Sequence, residues 1–277
     1  MPDLAAILKG ARLHLGLTRG TLSLVHMPSR WQRKAEPLFE APLADPAGIA
    51  PLLAAPLGGG RFAGLPLAVT LGDDCVRLFM VPPLKNATGL SDIRAAAAMR
   101  FHKLYGDDPA GWVIESDPSG DRPFLACAMP STLLSEIRAL ARSHKLRLTR
   151  VTPLFVLSWN QVFGRLGAAW LGVVQGGSIT LGCVEARDKP DLAAVHRLHL
   201  PAGGGDAAWL RQQVRATALR FGLDDPAEVK LFGGALPGLS LPSEADGLAL
   251  VRLDPTHRLP SAGGVFIPLL GERYRAG

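Results

Sequence analysis

Apolar residues alternating with polar ones open the chain with a hairpin. Leu13, Leu15 and Leu17 recur at every second position, Arg19-Gly20 breaks the run, and Leu22, Leu24 and Met27 resume it. A period of two marks strands on either side of a turn. Residues 28–64 are rich in Pro, Gly and Ala and are expected to be loop, with one short helix near 49–55. Residues 67–81 return to strand character and predict a second strand pair, turning at Gly72-Asp73-Asp74. Pro82-Pro83 ends it, because proline cannot donate to a ladder. The period then lengthens. Ile93, Ala97, Phe101 and Leu104 share one helical face, with Arg94 and Lys103 off it, Ser91 as the expected cap and Gly106 as the stop. Residues 112–115 and 124–129 are strands about the turn Asp117-Pro118-Ser119-Gly120-Asp121. Ser131 is expected to cap a helix that turns Leu134, Ile137 and Ala141 inward.

The second half repeats the plan. A short strand over 148–151 leads to a helix over 154–163, then a hairpin over 170–185 turning at Gln175-Gly176-Gly177-Ser178. A strand over 195–200 follows. A helix over 206–221 puts Leu210, Val214, Thr217 and Phe221 on one side and stops at Gly222. Strands over 229–232, before Gly233-Gly234, and over 248–253 complete the pattern. Two related α/β lobes are expected, 1–147 and 148–277, each a mixed sheet with helices packed on it.

Composition supports a packed core: of 277 residues, 48% are hydrophobic and only 19% charged. The formal charge of +6 raises nucleic acid or an anionic surface as partners, but the basic residues are spread along the chain. Their densest run, Arg142, His144, Lys145, Arg147 and Arg150, falls at a helix end, where cations suit the dipole. Without an aromatic and basic stripe, no nucleic-acid partner is expected. Cys75, Cys127 and Cys183 lie apart in apolar stretches and read as free thiols of a reducing compartment. The N-terminus has no signal-peptide pattern. The uncharged stretch 166–184 contains Gln175-Gly176-Gly177-Ser178 and reads as a turn, and 271–277 are polar, so no membrane anchor is expected.

Candidate chemistry is sparse. Asp73-Asp74, Asp107-Asp108 and Asp224-Asp225 are paired carboxylates at predicted turns and element ends, and are expected to be solvated. His196 and His199 are three apart on a predicted strand, hence on opposite faces and poorly placed to share a metal. Ser158 lacks the flanking glycines of a nucleophile elbow. The runs at 58–60 and 203–205 lack the Lys-Ser/Thr of a phosphate loop and read as flexible links. Trp112, Trp159, Trp170 and Trp209 are expected in cores or between lobes.

The stretch from Val69 to Asn160 runs in order through a strand pair ending in Pro-Pro, a helix, "WVIESD", "FLACAMP", a helix and "LRLTRVTPLFVLSWN". That order resembles the actin-like assembly proteins of type IV pili (PilM) and the cytoplasmic domain of the type II secretion protein GspL. The likeness covers roughly residues 13–234. It implies the two-lobed actin-like (ribonuclease H-like) fold. Family members that bind ATP hold the phosphates between glycine turns in the two hairpins, with an Asp beside each turn for Mg²⁺. The matching positions here are Gly16 in the first hairpin, Gly176 and Gly177 in the second, and Gly233, Gly234 and Ala235 on the adenosine side. Neither acid is present. The resemblance therefore implies a degenerate nucleotide site, with ATP contact open but no hydrolysis and no catalytic or metal-binding residue. It further implies a cytoplasmic scaffold at the bacterial inner membrane that binds the tail of a bitopic membrane partner and couples to the motor ATPase, with a homo-oligomer possible. An active actin-like ATPase or sugar kinase is the alternative.

Overall fold

The first hairpin forms where the alternation places it. In the computed structural model, which describes residues 10–28, 36–84, 89–117, 122–185, 191–234, 239 and 241–253, β1 (Arg12–Leu17) and β2 (Thr21–Met27) pair antiparallel. The turn is closed by Thr18, whose Oγ1 accepts from the N–H groups of Gly20 and Thr21. Three more strands complete a five-stranded sheet: β3 (Glu36–Pro42) beside β2, and β4 (Pro66–Leu71) then β8 (Arg147–Pro153) running parallel beyond β1. Leu13, Leu15, Leu17, Leu67 and Val69 from one face of this sheet are buried with Ile49 and Leu53 of α1 (Ile49–Leu53) and Leu134, Ile137 and Leu140 of α3 (Ser131–Ser143). Strands covered by helical crossovers are the setting for parallel pairing.

A second, three-stranded antiparallel sheet is inserted between β4 and α3. Its order is β5 (Arg77–Val81), β7 (Phe124–Pro130), β6 (Trp112–Ser116). The helix α2 (Leu90–Tyr105) lies on it, burying Ile93, Ala97 and Phe101 against Phe79, Val81, Phe124 and Ala126.

The third sheet has six strands. β9 (Trp170–Gln175) and β10 (Ser178–Glu185) form its hairpin, with β11 (Asp191–His199) beside β10. β12 (Glu228–Gly233) and β14 (Leu248–Arg252) run parallel on the other side, and β13 (Ser243–Ala245) edges β14. The order β11-β10-β9-β12-β14 repeats β3-β2-β1-β4-β8 of the first sheet, as expected of two related halves. The faces divide between two helices. Leu171 and Val173 meet Phe155 and Val162 of α4 (Leu154–Leu166). Ile179 and Leu181 meet Leu210 and Val214 of α5 (Ala207–Phe221). Gly182 leaves room for the Phe155 ring, which a Cβ would strike at 2.7 Å.

Several expectations are corrected. Residues 67–81 do not make a hairpin: both edges of β4 are already taken by β1 and β8, so β5 must pair elsewhere, with β7. The expected loop before α1 contains β3, which carries Pro37 and Pro42 and is tolerated because it is an edge strand. Ser91 is inside α2, whose N-cap position is Gly89, and Ser131 begins α3, its Oγ donating to the Gly111 carbonyl instead of capping. Asp206 does cap α5, accepting from the Trp209 N–H. Leu104 and Phe221 are 44% and 40% exposed rather than inward. Residues 58–60 form a 3₁₀ turn. β8 hydrogen-bonds to β4 from Arg147 onward and is the last strand of the first sheet. Trp170 is buried in the third sheet's core, and Trp159 is packed at its edge. The turn residues 118–121 lie outside the described residues.

Candidate functional site

The chain leaving β4 is hydrogen-bonded to both hairpins, to Arg19 after β1 and to Gln175 at the end of β9. Gly16 is not in a turn: it sits within β1, paired with Ser23 and flanked by Thr70 of β4. Gly176 and Gly177 do form the β9–β10 turn, Gly176 with φ of 54° and open space where a Cβ would stand on either. Gly233 ends β12 with φ of 111° and comes so close to Val174 that only glycine fits, and the Gly234 N–H donates to the Val174 carbonyl at 3.2 Å. Ala235 lies outside the described residues.

The space between the turns is taken by the protein's own groups. Asp73 N–H donates to Gln175 Oε1 at 3.1 Å, joining the end of β4 to the end of β9. Asp73 Oδ1 accepts from the Phe155 N–H at 2.9 Å, at the start of α4. Arg197 of β11 donates through Nε and Nη2 to Ser178 Oγ, at 3.2 and 3.1 Å, and through Nη1 to the Asp73 carbonyl at 3.4 Å. On the first hairpin, the Arg19 backbone N–H donates to Asp74 Oδ2 and its Nε to the Asp74 carbonyl, at 3.0 and 2.6 Å. Gly72 has no room for a side chain, since a Cβ there would meet both the Asp74 carboxylate and the Gln175 amide.

Asp73 therefore corrects the reading of the acid pairs as solvated ends: it is 4% exposed. Burial pushes its carboxyl up to about 6, against the opposing pull of the Phe155 N–H. The other pairs have structural partners: Asp107 pairs with Arg77, Asp108 accepts from the Ala110 N–H, and Asp225 takes Arg211 and Arg215. Ser158 is buried and donates to the Leu154 carbonyl. His196 packs edge-on to Phe221, and no group of three His, Cys, Asp or Glu among the described residues is placed to hold a metal ion. All three thiols are free, and burial pushes that of Cys127 up to about 12, far from a nucleophile's range. No described helix is long and apolar enough to cross a membrane. The sequence did not single out Gln175 for its side chain or Arg197 at all.

Beside the junction a groove of about 650 Å³ runs between β5 and β11, the edge strands of the second and third sheets. Met80, Leu104, Tyr105, Val195 and Phe221 line it together with arginines. Arg77 is held in an ion pair with Asp107 and lies over the Tyr105 and Trp112 rings, 4.5 and 4.6 Å from their centroids. Arg100 donates to the Met80 carbonyl at 3.3 Å, and Arg220 lies over the Phe221 ring at 5.7 Å.

No family model and no curated protein matches the sequence. Solved structures match the fold. A Bacteroides thetaiotaomicron protein with an actin-like ATPase fold and unknown function superposes with a TM-score of 0.56 at 11% identity, over 85% of this chain and 86% of that one. The cytoplasmic domain of EpsL, an inner membrane component of the type II secretion system of Vibrio cholerae, superposes with a TM-score of 0.54 at 12% identity, over 83% of this chain and 85% of that one. The chain has the actin-like fold. A PilM–PilN type IV pilus biogenesis complex is a weaker likeness, with a TM-score of 0.43 at 17% identity over 77% of this chain and 66% of that one. The EpsL domain is a secretion protein of the kind the sequence resembles. Identity this low speaks for the fold, and function rests on this chain's own residues.

Proposed function

We propose that this actin-like chain is a non-catalytic scaffold of a type II secretion or type IV pilus assembly platform. It works on the cytoplasmic side of the inner membrane, binding the tail of a membrane partner and coupling it to the motor ATPase. The observation that carries this reading is the filled junction. Where the resemblance would put phosphates, Gln175 bonds Asp73 and Arg197 bonds Ser178. A Mg²⁺ ion needs carboxylate oxygens turned into the site. The carboxylates nearest the turns are tied to the protein itself, Asp73 through Oδ1 to the Phe155 N–H and Asp74 through Oδ2 to the Arg19 N–H. These residues do not fit a metal-bound nucleotide. Likeness to the EpsL cytoplasmic domain supports the assembly-platform setting.

Thermal unfolding with and without millimolar ATP and Mg²⁺ tests the reading. A ligand that binds only the native state raises its stability with the logarithm of concentration over Kd. The expected result is no shift. A Mg²⁺-dependent rise would instead make this an active actin-like ATP-binding protein, for which the open space at Gly176 and Gly177 is the favourable feature. Pull-downs with cytoplasmic tails of candidate membrane partners test the positive half.

A further inference from the structure

We infer that the groove between β5 and β11 is the docking site for an extended, acidic segment of a partner protein, an inference that rests on the scaffold reading. Charge selects the occupant. Arg77, Arg100, Arg197 and Arg220 line the groove, and the one carboxylate in its lining, Asp73, is buried and turned to the Phe155 N–H. Asp107 neutralises Arg77, and Arg197 is spent on the junction. Arg100 and Arg220 face no carboxylate among the described residues. Two cations over an apolar floor, with no carboxylate partner among the described residues, call for an anionic occupant that also buries apolar surface.

Shape selects an extended chain. The groove is lined by two stretches of extended backbone, Arg77–Val81 of β5 with Pro82 and Pro83 after it, and residues 193–197 of β11. Leu104, Tyr105 and Phe221 stand exposed at its rim beside Arg100 and Arg220. An extended segment alternates its side chains, so apolar and acidic residues can reach these two kinds of surface in turn. β5 is protected against indiscriminate pairing: Tyr105 Oη donates to the Leu78 carbonyl, Arg100 to the Met80 carbonyl, and Pro82-Pro83 follow the strand. Recognition therefore rests on side chains, which gives it selectivity.

The test titrates the full chain with a fluorescent ten-residue peptide of alternating Val and Glu, its Val-Lys counterpart, and a single-stranded oligonucleotide. The Val-Glu peptide alone should bind, more weakly at higher salt, and Arg100→Glu with Arg220→Glu should weaken it about ten-fold or more at unchanged melting temperature. Arg220→Lys alone, which keeps the charge, should retain most of the wild-type affinity. Equal binding of the two peptides, preference for the oligonucleotide, no binding, or indifference to the charge reversals would overturn the assignment. A partner tail captured equally by wild type and the double variant would sink the groove while leaving the scaffold reading standing. An ATP-induced shift would sink the scaffold reading without touching the peptide result.

Discussion

The hairpin junction and the groove share Asp73 and Arg197 in their linings, yet their polar groups are met in opposite ways. At the junction the protein supplies the partners: Gln175 to the Asp73 N–H, Asp73 to the Phe155 N–H, Ser178 to Arg197. In the groove, Arg100 and Arg220 keep charge that no described carboxylate balances, among side chains left open to solvent. A buried network of the protein's own groups, in which Asp73 Oδ2 is left without a partner, holds two sheets together, whereas unbalanced charge beside exposed apolar surface invites another molecule. On the proposed scaffold reading, the place where an actin-like protein would hold nucleotide serves as a structural joint, and recognition is expected beside it.

Substitutions can break this contrast. The largest effect is expected at Phe155, fully buried behind Gly182: Phe155→Ala should cost about 3–5 kcal/mol in denaturant unfolding. Phe221→Ala, at the half-open groove, should cost a small fraction of that while weakening binding of the acidic peptide.

Next comes pH. The Asp73 carboxyl is raised from 3.8 to about 6, so the native state holds its proton more tightly than the unfolded chain. Its contribution is fully favourable below pH 3.8 and is lost as pH rises through about 6, a swing of roughly 3 kcal/mol. His14 acts in the opposite sense. Burial, then Arg12 and Arg150, lower it from 6.5 to about 3, so its contribution is present above 6.5 and is lost as pH falls. Between pH 4 and 6 the two slopes oppose one another. Asp73→Asn should remove one of them, so that stability falls more steeply on acidification over that window than in wild type. An unchanged slope would show that Asp73 is not held as described.

Smaller effects separate the glycines. Gly72→Ala must displace the Asp74 carboxylate and the Gln175 amide and should cost about 1 kcal/mol or more, while Gly177→Ala enters open space and should be near neutral. Least of all, Arg220→Glu should leave unfolding within about 0.5 kcal/mol, because it is an exposed residue with no ion pair among the described residues.

Much of the architecture was legible beforehand. Both hairpins, the helices after residues 90, 131, 154 and 206, and the repeat of two halves followed from periods of two and 3.6, which are local properties of the chain. β3 escaped because two prolines and half-exposed side chains hide its alternation, and β13 because it has only three residues. The glycine turn at 176–177 was legible, but the position of Gly16 inside a strand was not, since its neighbours Leu15 and Leu17 suit a strand or a turn's approach equally.

By itself, then, the sequence determined most of the strands and the main helices, the repeat of two halves, and that no acid adjoins Gly16, Gly176 or Gly177 along the chain. Only the tertiary structure decided that β5 abandons β4, that Asp73 is buried, and that Gln175 and Arg197 fill the junction. Those contacts join residues 82, 102 and 124 positions apart. Periodicity records which face of an element is apolar. It carries no record of which distant donor will meet a given polar group, and that pairing is settled only when the sheets come together.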